Sequence, residues 1–133
     1  MTLPGDLVAL LHKASPCFLA TIDPDGSPQL TQTWVDTVDG EHLLVNTVRG
    51  FRKLRNIERD PRVAVTIADP DRPGRYFGLK GRVVATTTAG AADTIEALAR
   101  KYISGPYPWP GGRDQVRVNL TIAVERIVHA PQW

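Results

Sequence analysis

The stretch NTVRGFRKLRNIERDP (residues 46–61) decides how this chain is interpreted. It lies between two apolar, β-branched runs, and its apolar side chains recur at every third position, which predicts a helix. Cations crowd the start of that helix, namely Arg49, Arg52, Lys53 and Arg55. Because peptide dipoles leave the N-terminal end of a helix positive, each cation there costs about 0.3–1 kcal/mol. Either water and neighbouring acids relieve this conflict, or an anion binds at the helix start.

The predicted helix has two different faces. At about 100° per residue, Phe51, Leu54 and Ile57 fall on one side and predict a buried stripe. The other side carries Arg49, Arg52, Lys53 and Asn56. Charged faces usually meet only water, but free backbone amides, a helix dipole and converging guanidinium groups are also what a phosphate group requires. The residues alone leave both interpretations open.

Length and composition restrict the functional classes. The chain has 133 residues, enough for one domain spanning 1–133, and a net charge of +2. The near-neutral charge argues against a nucleic-acid partner, and no apolar stretch approaches the roughly 20 residues that cross a bilayer. Cys17 is the single cysteine, so no intramolecular disulfide forms, and the N-terminus lacks a signal-peptide pattern. We therefore expect a cytoplasmic protein without nucleic-acid or membrane partners.

Alternating apolar runs, many of them joined by short turns, predict a mainly β protein with flanking helices. Asp25-Gly26 supplies the positive backbone angle of a tight turn, and glycines 78 and 81 predict bulges or a close backbone approach. Besides the basic helix, the spacing predicts helices over 6–14 and 89–103. This pattern favours a small six-stranded antiparallel barrel with helices at its openings. The six predicted strands are 17–23, 28–37, 42–48, 62–68, 75–86 and 115–129.

Several kinds of catalytic chemistry are missing. Neither a P-loop nor a Rossmann phosphate turn occurs in the sequence. His12, His42 and His129 are far apart and lack carboxylate or Cys partners at ligand-like spacing, so we expect no metal site. No serine has a nucleophile-elbow context, and Cys17 reads as an inert buried thiol. We expect no catalytic side chain, so a cofactor would have to supply any difficult chemistry.

The order of these segments is informative as a whole. CFLATIDPDGSPQLTQTWVDTVDGEHLLVNTVRGFRKLRNIERDPRVAVTI, followed by RYFGLKGRVV, runs from about Cys17 to Val84. It resembles the pyridoxamine 5'-phosphate oxidase-like split-barrel flavin and deazaflavin proteins, and most closely the actinobacterial branch that uses coenzyme F420. The resemblance implies an antiparallel split barrel of the FMN-binding type. It also implies a homodimer with the cofactor at the subunit interface.

The resemblance assigns cofactor contacts by position. Arg52 and Lys53 match the phosphate-binding Arg-Lys pair, which would make the missing anion a cofactor phosphate. The end of the third predicted strand matches a cofactor contact, and the segment 31–34 matches the one that lies along the ring system. Tyr76 is a further candidate for flanking the ring. The full set of expected cofactor-binding residues is Thr31, Gln32, Thr33, Trp34, Asn46, Thr47, Arg49, Arg52, Lys53, Tyr76 and Lys80.

Departures from the family pattern shape the functional expectation. Tyr76 stands where vitamin B6 oxidases carry a Gln, and VERIVHAPQW lacks their substrate motif, so B6 oxidation is not expected. The additional cations Arg49 and Arg55 suit the polyglutamate tail of F420, which favours F420 over FMN. We expect an F420-dependent oxidoreductase that transfers a hydride to a conjugated small-molecule substrate. The alternatives are an FMN-binding oxidoreductase and a flavin or deazaflavin carrier or sensor; residues 105–113 form either a lid or a mobile surface loop.

Overall fold

The computed structural model describes residues 1–132. It is mainly β with three flanking helices, as predicted, and the β-branched runs form the strands. The predicted helix over 6–14 is shorter, because His12 ends it ahead of Pro16. No helix within the described part of the chain is long and apolar enough to span a membrane. The elements are α1 (Gly5–Leu11), β1 (Cys17–Ile22), β2 (Pro28–Thr33), β3 (Val35–Asp36), β4 (His42–Val48), α2 (Arg52–Arg59), β5 (Arg62–Ala68), β6 (Tyr76–Thr87), α3 (Ala91–Ile103) and β7 (Arg117–His129).

The strands form one antiparallel sheet in the order β2-β1-β5-β6-β7-β4-β3. β2 and β3 lie at opposite edges of this sheet, although Trp34 alone separates them in sequence. The two edges must therefore approach each other at Trp34, which curls the sheet into the split-barrel form. The prediction of six strands is wrong, because the run 28–37 divides at Trp34. Its first part pairs with β1, and Val35 and Asp36 pair with β4.

Alternation along the strands places the core inside the curled sheet. β5 shows the pattern most clearly, since Val63, Val65 and Ile67 are buried while the residues between them are exposed. Leu7 and Leu11 of α1 are fully buried in the same cluster. Burial of side chains of this size contributes about 1.5–3 kcal/mol each relative to an exposed position, so α1 anchors one end of the barrel.

The glycines of β6 produce the predicted irregularity. The register between β6 and β7 shifts after Gly78 and again before Gly81. A Cβ added to Gly81 would lie 2.1 Å from the carbonyl oxygen of Ala123, so only glycine fits there. These bulges bend the strand and increase its twist, which helps the sheet to curl.

Helix α2 confirms the apolar stripe in part and corrects the expected polar face. Leu54 and Ile57 are buried, but Phe51 is the residue that precedes the helix and is 46% exposed. The placement of Asn56 on a basic outer face is wrong, because it is 1% exposed. Its side-chain amide donates to Thr21 Oγ1 at 3.0 Å and to Asp23 Oδ1 at 3.0 Å. The β1–β2 region covers this side of α2 and supplies the acceptors.

Candidate functional site

A cavity of about 780 Å³ opens between the ends of β2 and β4, the start of α2, one side of α3 and the loop 104–116. The strands contribute the residues at their ends, and the helices contribute residues because they pack across the open end of the barrel. The cavity is of the size that holds a small organic ligand or cofactor. Its lining comprises Ala14, Pro16, Gln32, Thr33, Trp34, Asn46, Thr47, Phe51, Lys53, Ile95, Leu98, Tyr102, Tyr107, Pro110, Gly111, Gln115 and Arg117.

Aromatic rings form one wall of this cavity. Trp34 stacks on Tyr102 with 5.4 Å between ring centroids and an interplanar angle of 10°. Tyr107 meets the same indole edge-on at 6.2 Å and 84°. The Tyr102 hydroxyl donates to the Ser15 carbonyl at 2.6 Å and accepts from the Val35 amide at 3.2 Å. The stack is therefore held in place by the segment between α1 and β1 and by the strand that follows Trp34.

Lys53 is a half-buried cation that makes no hydrogen bond or ion pair with any residue in the described part of the chain. Burial lowers its pKa, and the nearby positive charge of Arg117 lowers it further. Cys17 lies close to it, but burial raises the pKa of that thiol to about 12, which keeps it neutral. An ammonium group shielded from water without an anionic partner is unfavourable. An anion next to Lys53 would remove this cost.

Arg117 is a second cation in the same cavity. It begins β7, where it pairs with Val48, and its Nε donates to Asn46 Oδ1 at 2.7 Å. Burial lowers its pKa. Asn46 is itself 6% exposed and donates from Nδ2 to the Ala91 carbonyl and to Asn119 Oδ1, both at 2.9 Å. A buried amide network therefore fixes the direction of this guanidinium group.

Two further observations concern the fit of an anionic ligand. The hydroxyl of Thr47 is buried, with the residue 3% exposed, and it has no partner among residues 1–132. None of the described residues that line the cavity is an aspartate or a glutamate. An unpaired hydroxyl, two cations and no acid next to an aromatic wall fit a planar ligand that carries a negative group, as a flavin or deazaflavin phosphate does.

A second cavity of about 570 Å³ lies on the other side of α2. Arg59 borders it and bonds to Asn56 Oδ1 at 3.1 Å and to the carbonyl oxygen of Ile22. Unlike the first cavity, it contains acids as well as cations. Its lining comprises Asp23, Pro24, Asp25, Arg52, Arg55, Asn56 and Arg59.

The structure brings six of the eleven expected cofactor-binding residues into the first cavity: Gln32, Thr33, Trp34, Asn46, Thr47 and Lys53. Arg52 borders the second cavity instead, so the Arg-Lys pair divides between the two. Thr31 is on the inner face of β2 with an unpartnered hydroxyl. Arg49 is exposed after β4. Tyr76 and Lys80 are exposed on the outer face of β6, where Tyr76 stacks on His129 at 4.1 Å.

Arg117 and Tyr102 were not predicted as site residues, but both line the cavity together with Tyr107. Tyr107 lies in the segment 105–113, for which a lid was one of the two interpretations. A signal existed for Arg117, since it is a charged residue on the polar side of an alternating strand. Tyr102 lies in α3, and its hydroxyl bonds and its stacking with Trp34 place it in the cavity wall.

The expectation that His42 has no carboxylate neighbour is wrong. Its Nδ1 lies 2.6 Å from Asp39 Oδ2 in the turn that precedes β4. Glu41 completes a group of three side chains whose ligand atoms lie within 4.8 Å of one another. Asp39 also accepts hydrogen bonds from the backbone amides of Glu41 and His42, which lowers the pKa of its carboxyl group. The geometry of the turn before β4 accounts for this contact between Asp39 and His42.

The family profile described as pyridoxamine 5'-phosphate oxidase matches residues 3–128. This chain belongs to that family. The family members are flavin- or deazaflavin-binding oxidoreductases, which agrees with a cavity that fits a planar anionic cofactor. No curated protein matches the chain.

Solved structures extend the comparison. An F420 reductase is 30% identical, with a TM-score of 0.80, and the match covers 94% of this chain and 98% of that one. A conserved hypothetical protein from Mycobacterium tuberculosis is 24% identical, with a TM-score of 0.70 and 96% and 83% of the two chains covered. HupZ from Group A Streptococcus is 19% identical, with a TM-score of 0.67 and 98% and 99% covered. The last two show the fold alone.

Proposed function

We propose that this protein is an F420-dependent oxidoreductase that transfers a hydride from the reduced deazaflavin to a conjugated organic substrate. The observation that carries the proposal is Lys53, a half-buried cation without a partner among residues 1–132, in a cavity that also offers an aromatic wall and a Thr47 hydroxyl with no partner in the same range. Similarity to an F420 reductase over nearly the whole chain supports F420 over FMN. When bound, the deazaflavin supplies the hydride chemistry.

The residues of this chain would bind and orient the cofactor. Lys53 and the Thr47 hydroxyl would hold its phosphate, and the first amides of α2 add donors that have no acceptor inside the helix. Trp34 would lie against the ring system, held by its stack on Tyr102. Gln32 and Thr33 offer polar groups at the end of β2. Such contacts position a hydride donor and exclude water from it.

The loop 104–116 would close the cavity. Trp109 has a positive φ of 51° and donates from its indole nitrogen to Glu96 Oε1 at 2.9 Å. Tyr107 packs edge-on against it at 5.3 Å between ring centroids. The loop is therefore tied to α3 by side-chain contacts, which favours the lid interpretation over a mobile surface loop.

The proposal includes a cytoplasmic homodimer with the cofactor at the interface. The outer face of β1 and β2 exposes large apolar side chains, with Phe18 40% and Leu30 67% exposed. Gln32 pairs with Phe18 on this face and also lines the cavity. A second copy that covers the apolar face would therefore border the cavity and shield it from water.

One set of measurements on the purified protein tests the proposal. F420 and FMN are titrated separately while Trp fluorescence is followed, and reduced F420 is then tested with a panel of quinones and enones. We expect tighter binding of F420 and its oxidation by at least one member of the panel. Tight FMN binding with oxygen consumption would replace F420 by FMN, and F420 binding without turnover would favour a carrier or sensor. Analytical ultracentrifugation tests the dimer, and a monomer at all concentrations contradicts it.

A further inference from the structure

Arg117 is the cation of the first cavity to which the proposed function assigns no contact. Its Nε is bonded to Asn46, and one Nη1 hydrogen points to the Tyr107 hydroxyl at 3.4 Å. The guanidinium carbon lies 5.3 Å from the centroid of the Tyr107 ring. Its Nη2 makes no hydrogen bond within the described chain. The two Nη2 hydrogens and the second Nη1 hydrogen are therefore left without partners among residues 1–132, in a residue that lines the cavity.

The position of Arg117 is built by the fold. The Asn46 amide that orients it is bonded in turn to the start of α3 and to Asn119. Asn119 continues the network by donating to Thr94 Oγ1 at 2.9 Å. Such a connected network fixes a side chain more firmly than a solvated arginine. A cation held in this way is pre-organised, so little side-chain entropy is lost when an anion binds.

The surroundings of Arg117 select the kind of anion. Tyr107 and the rest of the aromatic wall lie beside it, and no acid lines the cavity in residues 1–132. A free guanidinium edge binds a carboxylate through two parallel hydrogen bonds, and an adjacent wall of rings favours a flat, conjugated body. Lys53 and Thr47 already suffice to contact a cofactor phosphate.

We propose that Arg117 anchors a carboxylate group of the substrate, so that the substrates are aromatic or conjugated carboxylates. This inference rests on the proposed function for the reaction, but the anion site is a property of the cavity alone. Asn46 acts as a positioning residue through Arg117. The loop 104–116 contributes Tyr107, which completes the site on the side of the guanidinium face.

Two probes with the same conjugated skeleton test the proposal. Isothermal titration calorimetry measures trans-cinnamate and the neutral cinnamamide against the whole protein, both cofactor-free and after F420 addition. In at least one of these states we expect cinnamate to bind at least about tenfold more tightly than cinnamamide, as a bidentate ion pair predicts. Arg117→Gln should reduce that preference to less than about threefold and leave cinnamamide binding unchanged. Arg100→Gln, which removes an exposed cation of α3, should change neither.

The outcomes separate this inference from the proposed function. Equal affinity for the two probes, or no binding of either in both states, overturns the carboxylate site. It is also overturned if Arg117→Gln weakens F420 binding and spares the cinnamate preference, because Arg117 then serves the cofactor. Failure of F420 to bind or turn over contradicts the proposed function, but the cofactor-free titration still measures the affinity of the anion site for cinnamate and cinnamamide. If Arg117→Gln does not fold, Arg117→Lys takes its place in the test, because it keeps the charge and removes the guanidinium group. The expected result is then a loss of at least half of the cinnamate preference, with cinnamamide binding unchanged.

Discussion

The two cavities beside α2 differ in how their cations are compensated. The larger one holds Lys53 and Arg117 and no acid among its described lining residues. The smaller one holds three arginines together with Asp23 and Asp25. One helix therefore presents cations to a site that contains its own acids and to a site that does not. The difference indicates that the larger cavity is the one suited to an external anion.

Each cavity also has a buried asparagine, and these two residues give the largest expected effects. Asn56→Ala should lower the free energy of unfolding by about 3 kcal/mol, since several buried partners lose their hydrogen bonds. Asn46→Ala should have a similar cost, for the same reason. Urea denaturation measures both. The comparison predicts that calorimetric titration of the folded variants with cinnamate is weakened by Asn46→Ala, which releases Arg117, and unchanged by Asn56→Ala; equal weakening would contradict it.

The cations give the next largest effect. Lys53→Ala should weaken F420 binding by at least about tenfold, because a charge-assisted contact in a shielded site is lost. Arg52→Ala should change the affinity by less than about threefold, since this side chain faces the cavity that contains acids. The double variant should resemble Lys53→Ala. Trp fluorescence titration of the three variants with F420 measures these affinities. A larger loss of affinity from Arg52→Ala than from Lys53→Ala would place the phosphate-binding site on the other side of α2.

A carboxylate added to the larger cavity should make it resemble the smaller one. Gln115 lines the cavity and lies two residues from Arg117 in the sequence. Replacing it by glutamate adds a carboxylate with little change in the shape of the side chain. We expect Gln115→Glu to weaken binding of cinnamate about fivefold through repulsion and competition for the guanidinium group. Binding of cinnamamide, measured by the same calorimetry, is the control. An unchanged cinnamate affinity would show that the absence of acids is not what makes this cavity selective.

Local patterns in the sequence were sufficient for most of the fold, and the family resemblance was sufficient for part of the site. Alternation located the strands, and the resemblance assigned Trp34, Asn46, Thr47 and Lys53 to the cofactor site. The division of the run 28–37 was not predictable in this way, because its first part pairs with the preceding strand β1 while Val35 and Asp36 pair with the following strand β4, at the opposite edge of the sheet. Periodicity has no information on which strand a segment will join.

The residues that were missed share one physical reason. Arg117 reaches the cavity only because β7 pairs with β4, which brings its guanidinium group to Asn46. Asn56 was misplaced for a related reason: helical periodicity identifies the apolar face but not the polar turn that covers the opposite one. Polar residues that are buried by distant segments have no local signature.

The smallest expected effect is a pH dependence that distinguishes Lys53 from Arg52. Burial lowers the pKa of Lys53 below its ordinary 10.5, so the unfolded chain binds more protons between the lowered pKa and 10.5. The contribution of this group to the free energy of unfolding therefore rises with pH in that window. The stability advantage of Lys53→Met over the wild type should be largest below the window and shrink as the pH rises through it.

Urea denaturation of wild type and Lys53→Met at closely spaced alkaline pH values measures how the difference in their free energies of unfolding decreases as the pH rises. Arg52→Met is the exposed control and should show no such decrease. The difference between variants removes the contribution of Tyr102, whose pKa is raised to about 12 by burial. Inorganic phosphate at high concentration should reduce the pH dependence of this free-energy difference, because an anion beside Lys53 stabilises its charged form. A constant difference across the whole range would mean that Lys53 is solvated, and the contrast between the two cavities would then disappear.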